Sequence, residues 1–139
     1  MITRSVVLPL DPGAAFTLFT ARIGEWWPPD RRHTKDPASQ IFLLPTGRFY
    51  EQARTGEEVD LGRVRSWEPP RRIVLDFFIA TGPDRPTEVE ITFVARGTST
   101  EVVVAHRPTA DSAALWVERA PKYERSWEVV LNALARATG

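Results

Sequence analysis

The last third of the chain carries the strongest constraint on its fold. Trp116, Ala120, Tyr123, Trp127, Val130 or Leu131, and Leu134 recur at spacings of three and four. On a helix they form one apolar stripe roughly six turns long. Such a face must be laid against another apolar surface, and the chain offers one of sufficient size. Between residues 40 and 107 the spacing changes to short runs, QIFLL, RFYEQA, VDLGRVRSW, RRIVLDFFIA, TEVEITFVA and TEVVVAHR, separated by turn segments such as PTG, RTGEE and TGPDRP. Val89, Ile91 and Phe93 alternate with Glu88, Glu90 and Thr92, and Ile73, Leu75, Phe77 and Ile79 share a face with Asp76 opposite. This is the pattern of an antiparallel sheet with one wet and one buried face. The expected fold is therefore α+β, a curved antiparallel sheet of about seven strands gripping a long C-terminal helix.

The N-terminal segment supplies the remaining elements. ITRSVVL reads as the first strand, and DPGAAFTLF as a short helix with Asp11 as N-cap and Pro12 at its first position. A second short helical turn carries Ile23 and ends near Trp27, where Pro28 and Pro29 stop it. Residues 30–39 read as loop. At the other end Asp111 or Ser112 can cap the long helix, and Pro121 implies a kink, or a short helix followed by a restart. The 139 residues are expected to form a single domain, 1–139.

Composition excludes several functions. The formal net charge is zero, with 42% apolar and 26% charged residues, so neither nucleic acid nor an anionic membrane is an expected partner. There is no cysteine, hence no disulfide, thiol nucleophile or thiolate metal site. No apolar run reaches the roughly 18 residues of a membrane span, and the first residues do not read as a signal peptide; the expected location is the cytoplasm. His33 and His106 lie far apart without clustered carboxylates, so no metal site is expected. No dinucleotide fingerprint or nucleophile elbow occurs, and no cofactor is expected. Glu57, Glu58 and Asp60 read as a solvated turn, while Glu88 and Glu90 lie on the outer face, away from any buried acid–base role.

A curved sheet need not close completely along its helix, and a pocket can form in the gap. Trp26 and Trp27 stand at its expected end. Neighbours on a helix face about 100° apart, so both rings cannot enter one core from one turn. Either they form a structural plug, or one ring belongs to a pocket rim. If Thr100, Val102 and Val104 face inward, His106 does too, as a general base, a ligand anchor, or a neutral histidine satisfied by a neighbouring group. His33 reads as surface. Tyr50, Phe77, Phe93, Trp116, Tyr123 and Trp127 are the other candidate lining residues, with core packing as the alternative for those on the helix. The placing of Tyr50 depends on strand register, because a slip of one residue turns it outward.

The segments IGEWWPP, TGRFYEQ, LGRVRSWEPPRRIVLDFF, TEVEITFVARGTSTEVVVAHRP and SWEVVLNAL, in this order, resemble the START-like helix-grip (SRPBCC) superfamily, which includes birch-pollen-allergen-like proteins and polyketide cyclases. The closer resemblance is to the branch named after the C-terminal domain of the activator of Hsp90 ATPase. It covers nearly the whole chain. Similar domains are associated with hydrophobic-ligand binding, with cyclase or aromatase chemistry and with chaperone contact; the mostly apolar candidate lining makes binding of a small hydrophobic molecule between sheet and helix, without catalysis, the expected function. Two alternatives follow from the same superfamily: a cyclase or aromatase-like enzyme using His106 and a tyrosine, or a co-chaperone-like interaction module. Contact with Hsp90 does not follow, since the Hsp90 activator has a further N-terminal domain that this chain does not show. A homodimer is compatible with the sequence and is not specified by it.

Overall fold

The computed structural model describes residues 1–138. Seven antiparallel strands form one curled half-barrel sheet: β1 (Ile2–Leu8), β2 (Gln40–Leu43), β3 (Arg48–Gln52), β4 (Glu58–Glu68), β5 (Arg72–Phe77), β6 (Thr87–Arg96) and β7 (Ser99–Arg107). Their spatial order is β1-β7-β6-β5-β4-β3-β2. The chain therefore leaves one edge after β1 and re-enters at the opposite edge as β2. Helices α1 (Pro12–Phe19) and α2 (Ile23–Trp26) make that crossing. Helix α3 (Ala113–Arg136) follows the last strand. Among the described residues no helix is long and apolar enough to cross a membrane.

Local chemistry accounts for the boundaries. The Asp11 carboxylate accepts from the Ala14 amide at 2.8 Å, and Pro12 follows at a position whose amide would lack a helical partner. Alternation in β6 and β7 is strict: Val89, Ile91 and Phe93, and Thr100, Val102, Val104 and His106, all face the core. The opposite face carries ion pairs across strands, Arg72 with Glu90 and Arg107 with Glu88 and Glu90.

Three expectations are refined. Helix α3 is one element of 24 residues with Pro121 inside, so no restart occurs. Pro121 is exposed, and the hydrogen bond its ring removes falls on the solvent side, where water can replace it. Ser112 occupies the N-cap position without capping; its hydroxyl accepts from the Thr109 amide at 2.9 Å. The strand read through residue 80 ends at Phe77, because the chain turns there: the Gly82 amide bonds the Phe78 carbonyl at 2.8 Å and Ala80 takes φ 68°. Ile79 thus leaves the sheet and approaches α3. At the entry to loop 30–39 the structure adds a single 3₁₀ turn, Pro29–Arg31.

Curling brings β3, β4 and β5 close at Gly62. A Cβ there would lie 2.4 Å from the Asp76 carbonyl oxygen and 3.2 Å from a Phe49 ring carbon. The first contact is with backbone, which cannot give way cheaply. Gly62→Ala is expected to lower the unfolding free energy by about 1–3 kcal/mol, the range for overpacking, measured by urea denaturation; an unchanged midpoint would mean that the strands do not approach this closely.

Candidate functional site

The grip is incomplete at one place. Between the end of β5, the middle of α3 and the segment after α2 lies a cavity of about 280 Å³. Its wall is made by Trp27, Phe77, Ile79, Tyr123, Trp127 and Val130, and its mouth by Asp30, Arg31, Arg32, His33 and Ser126. Apolar rings deep inside and polar side chains at the entrance give a site with a defined inner and outer end.

Behind the wall sits His106, fully buried on β7. The Trp127 indole N–H donates to His106 Nδ1 at 3.0 Å, and His106 Nε2 lies 2.6 Å from the Thr87 hydroxyl. With Nδ1 accepting, the neutral ring carries its proton on Nε2 and donates it to Thr87. Burial pushes the imidazole down to about 3, since a charged ring would lose its hydration. Its ring packs at a tilt on Tyr123 with centroids 4.2 Å apart, and in edge-to-face contacts with Phe77 and Trp116 at 5.2 and 5.3 Å. The Tyr123 hydroxyl donates to the Ile79 carbonyl at 2.6 Å and Arg119 Nε to the Ala80 carbonyl at 3.0 Å, two bonds that tie the turn after β5 to α3. Burial raises the Tyr123 pKa, so the phenol keeps this proton.

Polar bonds fasten the mouth. The Trp27 indole N–H donates to the Arg31 carbonyl at 3.2 Å, and Arg31 Nε donates to the Ser126 hydroxyl on α3 at 3.0 Å. The Arg32 guanidinium donates to the carbonyls of Gly24, Trp27 and Ser39. Beneath them the buried Glu51 carboxylate accepts from the His33 amide at 2.6 Å and the Thr34 amide at 2.9 Å. Burial alone would raise the Glu51 pKa, but hydrogen bonds from the Thr34 hydroxyl and the two amides outweigh it and hold the group below the usual carboxylate value.

The nine candidate residues are divided by this geometry. Trp27, Phe77, Tyr123 and Trp127 border the cavity, and His106 and Trp116 back its wall. Trp26 is a plug: its indole donates to the Leu18 carbonyl at 2.8 Å, and its ring packs on Phe19. Phe93 is placed away from the cavity, against Phe16 and Phe19 of α1. Tyr50 is a correction. It stacks on Phe42 on the outer face, with the Arg48 guanidinium 3.8 Å above its ring, because Phe49 and Glu51 take the inward positions of β3. His33, read as surface, borders the mouth although its residue is exposed. Arg31 and Ser126 had no distinguishing signal, since their contact joins residues 95 positions apart. Among the described residues no cluster of three or more His, Cys, Asp or Glu could hold a metal ion.

A curled antiparallel sheet wrapped on a long C-terminal helix, with a cavity between them, defines a START-like (SRPBCC) helix-grip domain. The chain belongs to the Activator of Hsp90 ATPase homolog 1-like protein family, whose model matches residues 11–139. It is similar in structure to CalC from Micromonospora echinospora, a self-sacrificing resistance protein, with a TM-score of 0.72 and 26% identity over 99% of this chain and 92% of that one. It is also similar to the anthrahydroquino-gamma-pyrone synthase Txn09 in complex with SUM, with a TM-score of 0.59 and 27% identity over 99% and 94% of the two chains. A protein from Nitrosomonas europaea shares the fold at 14% identity, with a TM-score of 0.66 and coverage of 97% and 91%. No curated protein matches the sequence.

Two consequences can be measured. The folded pKa of His106 lies below the unfolded value of 6.5, so as pH falls the unfolded chain takes up this proton first. The stability due to a neutral His106 is complete above about 6.5 and is lost downward toward about 3, at about 1.4 kcal/mol per pH unit. The stability gap between wild type and His106→Gln should therefore narrow as the pH is lowered from 6.5; a gap independent of pH would contradict a neutral buried ring. Glu51→Ala should raise the amide exchange rates of His33 and Thr34 about tenfold or more, the effect of losing a charge-assisted bond, while β6 and β7 stay protected. Equal change across the sheet would show that Glu51 supports the whole fold and not the loop.

Proposed function

We propose that the protein binds a small hydrophobic, ring-containing molecule in the cavity between sheet and α3, without catalysing its conversion, the whole chain forming one domain around it. The observation that carries this reading is the cavity itself: about 280 Å³, walled by Trp27, Phe77, Tyr123 and Trp127. That volume stands near the lower end of small-molecule pockets, about 300–1,000 Å³, and flat aromatic walls favour a flat occupant. The relative named as a synthase of an anthrahydroquino-gamma-pyrone, a fused-ring compound, supports the same shape of ligand. The fate of His106 argues for binding over acid–base chemistry. Its two ring nitrogens are both engaged within the protein, and its side chain has no exposed surface.

Calorimetric titration with naphthalene-2-carboxamide, a neutral fused-ring probe, tests the reading. Saturable binding in the micromolar range is expected for the wild type. Ser126→Trp, which places an indole in the cavity from α3, should weaken it by at least about tenfold, or 1.4 kcal/mol. Absence of binding, or equal binding by both proteins, would overturn the cavity as the ligand site.

A further inference from the structure

Resting on the cavity as the ligand site, we infer that its natural occupant carries a carboxylate, and that Arg31 at the mouth is the residue that holds it. The rings of Trp27, Phe77 and Trp127 make the inner end suitable only for the apolar part of a ligand. Whatever polar group that ligand has must lie outward, where Arg31, Arg32, His33 and Ser126 stand together. Apart from Asp30, this rim is made of side chains that donate hydrogen bonds. An acceptor-rich, negatively charged group is their complement.

Arg31 is distinguished from its neighbours by how it is held. Trp27 grips its carbonyl at 3.2 Å and Ser126 grips its Nε at 3.0 Å, so backbone and guanidinium are both fixed across the entrance. Nη1 faces Asp30, and Nη2 makes no hydrogen bond among the described residues. A planar guanidinium oriented in advance, with one nitrogen free, is matched to the two oxygens of a carboxylate. Asp30 shows that the position accepts such a group: its carboxylate lies 3.3 Å from Nη1, and its side chain is 67% exposed. An exposed pair of this kind is weak, and a ligand carboxylate can displace it while Asp30 turns into water. Arg32 differs. It has no acidic partner among the described residues, and its guanidinium is directed to three backbone carbonyls. It adds positive charge to the rim and fastens the loop, leaving the contact itself to Arg31.

The test compares naphthalene-2-carboxylate with the isosteric neutral carboxamide, titrated by calorimetry at neutral pH into wild type, Arg31→Gln and Arg31→Lys. The wild type should prefer the carboxylate by about tenfold, the increment of one charge-assisted contact. Arg31→Gln should abolish the preference by weakening the carboxylate about tenfold more than the carboxamide; Arg31→Lys should keep part of it. Should Arg31→Gln lower the melting temperature markedly, Ser126→Ala replaces it: freeing the guanidinium should reduce the preference while the neutral probe still binds. Equal affinity for both probes in the wild type, or an undiminished preference in Arg31→Gln, would overturn the carboxylate anchor and leave the cavity reading standing. Failure of both probes to bind would remove the cavity reading and this inference with it.

Discussion

The hydrogen bond from the Trp127 indole to His106 Nδ1 is the interaction on which the rest of this structure depends. It joins α3 to β7 inside an otherwise apolar core, and Thr87 extends it to β6. A buried donor without a partner costs about 1–3 kcal/mol, so each group is satisfied only at one depth and one rotation of the helix. Apolar packing alone would tolerate several. Once that point is set, Tyr123 falls over the histidine ring, its hydroxyl meets the Ile79 carbonyl, and Phe77 closes the other side. The cavity opens next to this point, where β5 has ended and the sheet no longer follows the helix.

Wall and mouth are built by different forces. The wall belongs to the core, and its rings are buried by packing within the protein. The mouth hangs on directional bonds: Arg32 to backbone carbonyls, Glu51 to backbone amides, and Asp36 to the side chain and amide of Arg54. The tandem tryptophans stand at the boundary between the two. Both rings are buried in one core with centroids 5.9 Å apart, because Trp27 stands past the helical turn at its C-cap; Trp26 packs beneath α1, whereas Trp27 lies on Phe49 and presents its ring to the cavity and its N–H to the loop. One dipeptide therefore closes the barrel end and begins the entrance.

How far the sequence could be read follows from the same division. The stripe on α3 and the alternation of β6 and β7 report directly on burial, and they were legible because every inward residue of the two strands but Thr87, Thr100 and His106 is apolar. Tyr50 misled for a physical reason. Strand β3 turns Glu51 inward, a carboxylate whose burial is made possible by amides from a loop. Alternation reasoning places a glutamate outside and its tyrosine neighbour inside, and here both are reversed. Phe93 faces inward as expected, but inward at that point means under α1, a distinction that strand periodicity does not contain. The rim was illegible in another way. The run RRH looks like any solvated loop until α3 brings Ser126 to it, and only tertiary structure makes that approach.

The relatives of this chain bear names as different as a resistance protein and a synthase on one fold. The separation of wall from mouth suggests how such divergence stays affordable. Side chains of the wall are also the core, so replacing Trp127 or Phe77 removes packing worth about 3–5 kcal/mol. Rim side chains such as Asp30 and His33 are exposed and pair with no strand, and their replacement falls in the range of about 0.5 kcal/mol or less. If the cavity holds a ligand as proposed, substitutions at the rim can change which end-group fits while the grip stays intact, and the entrance can drift over a lineage faster than the architecture behind it.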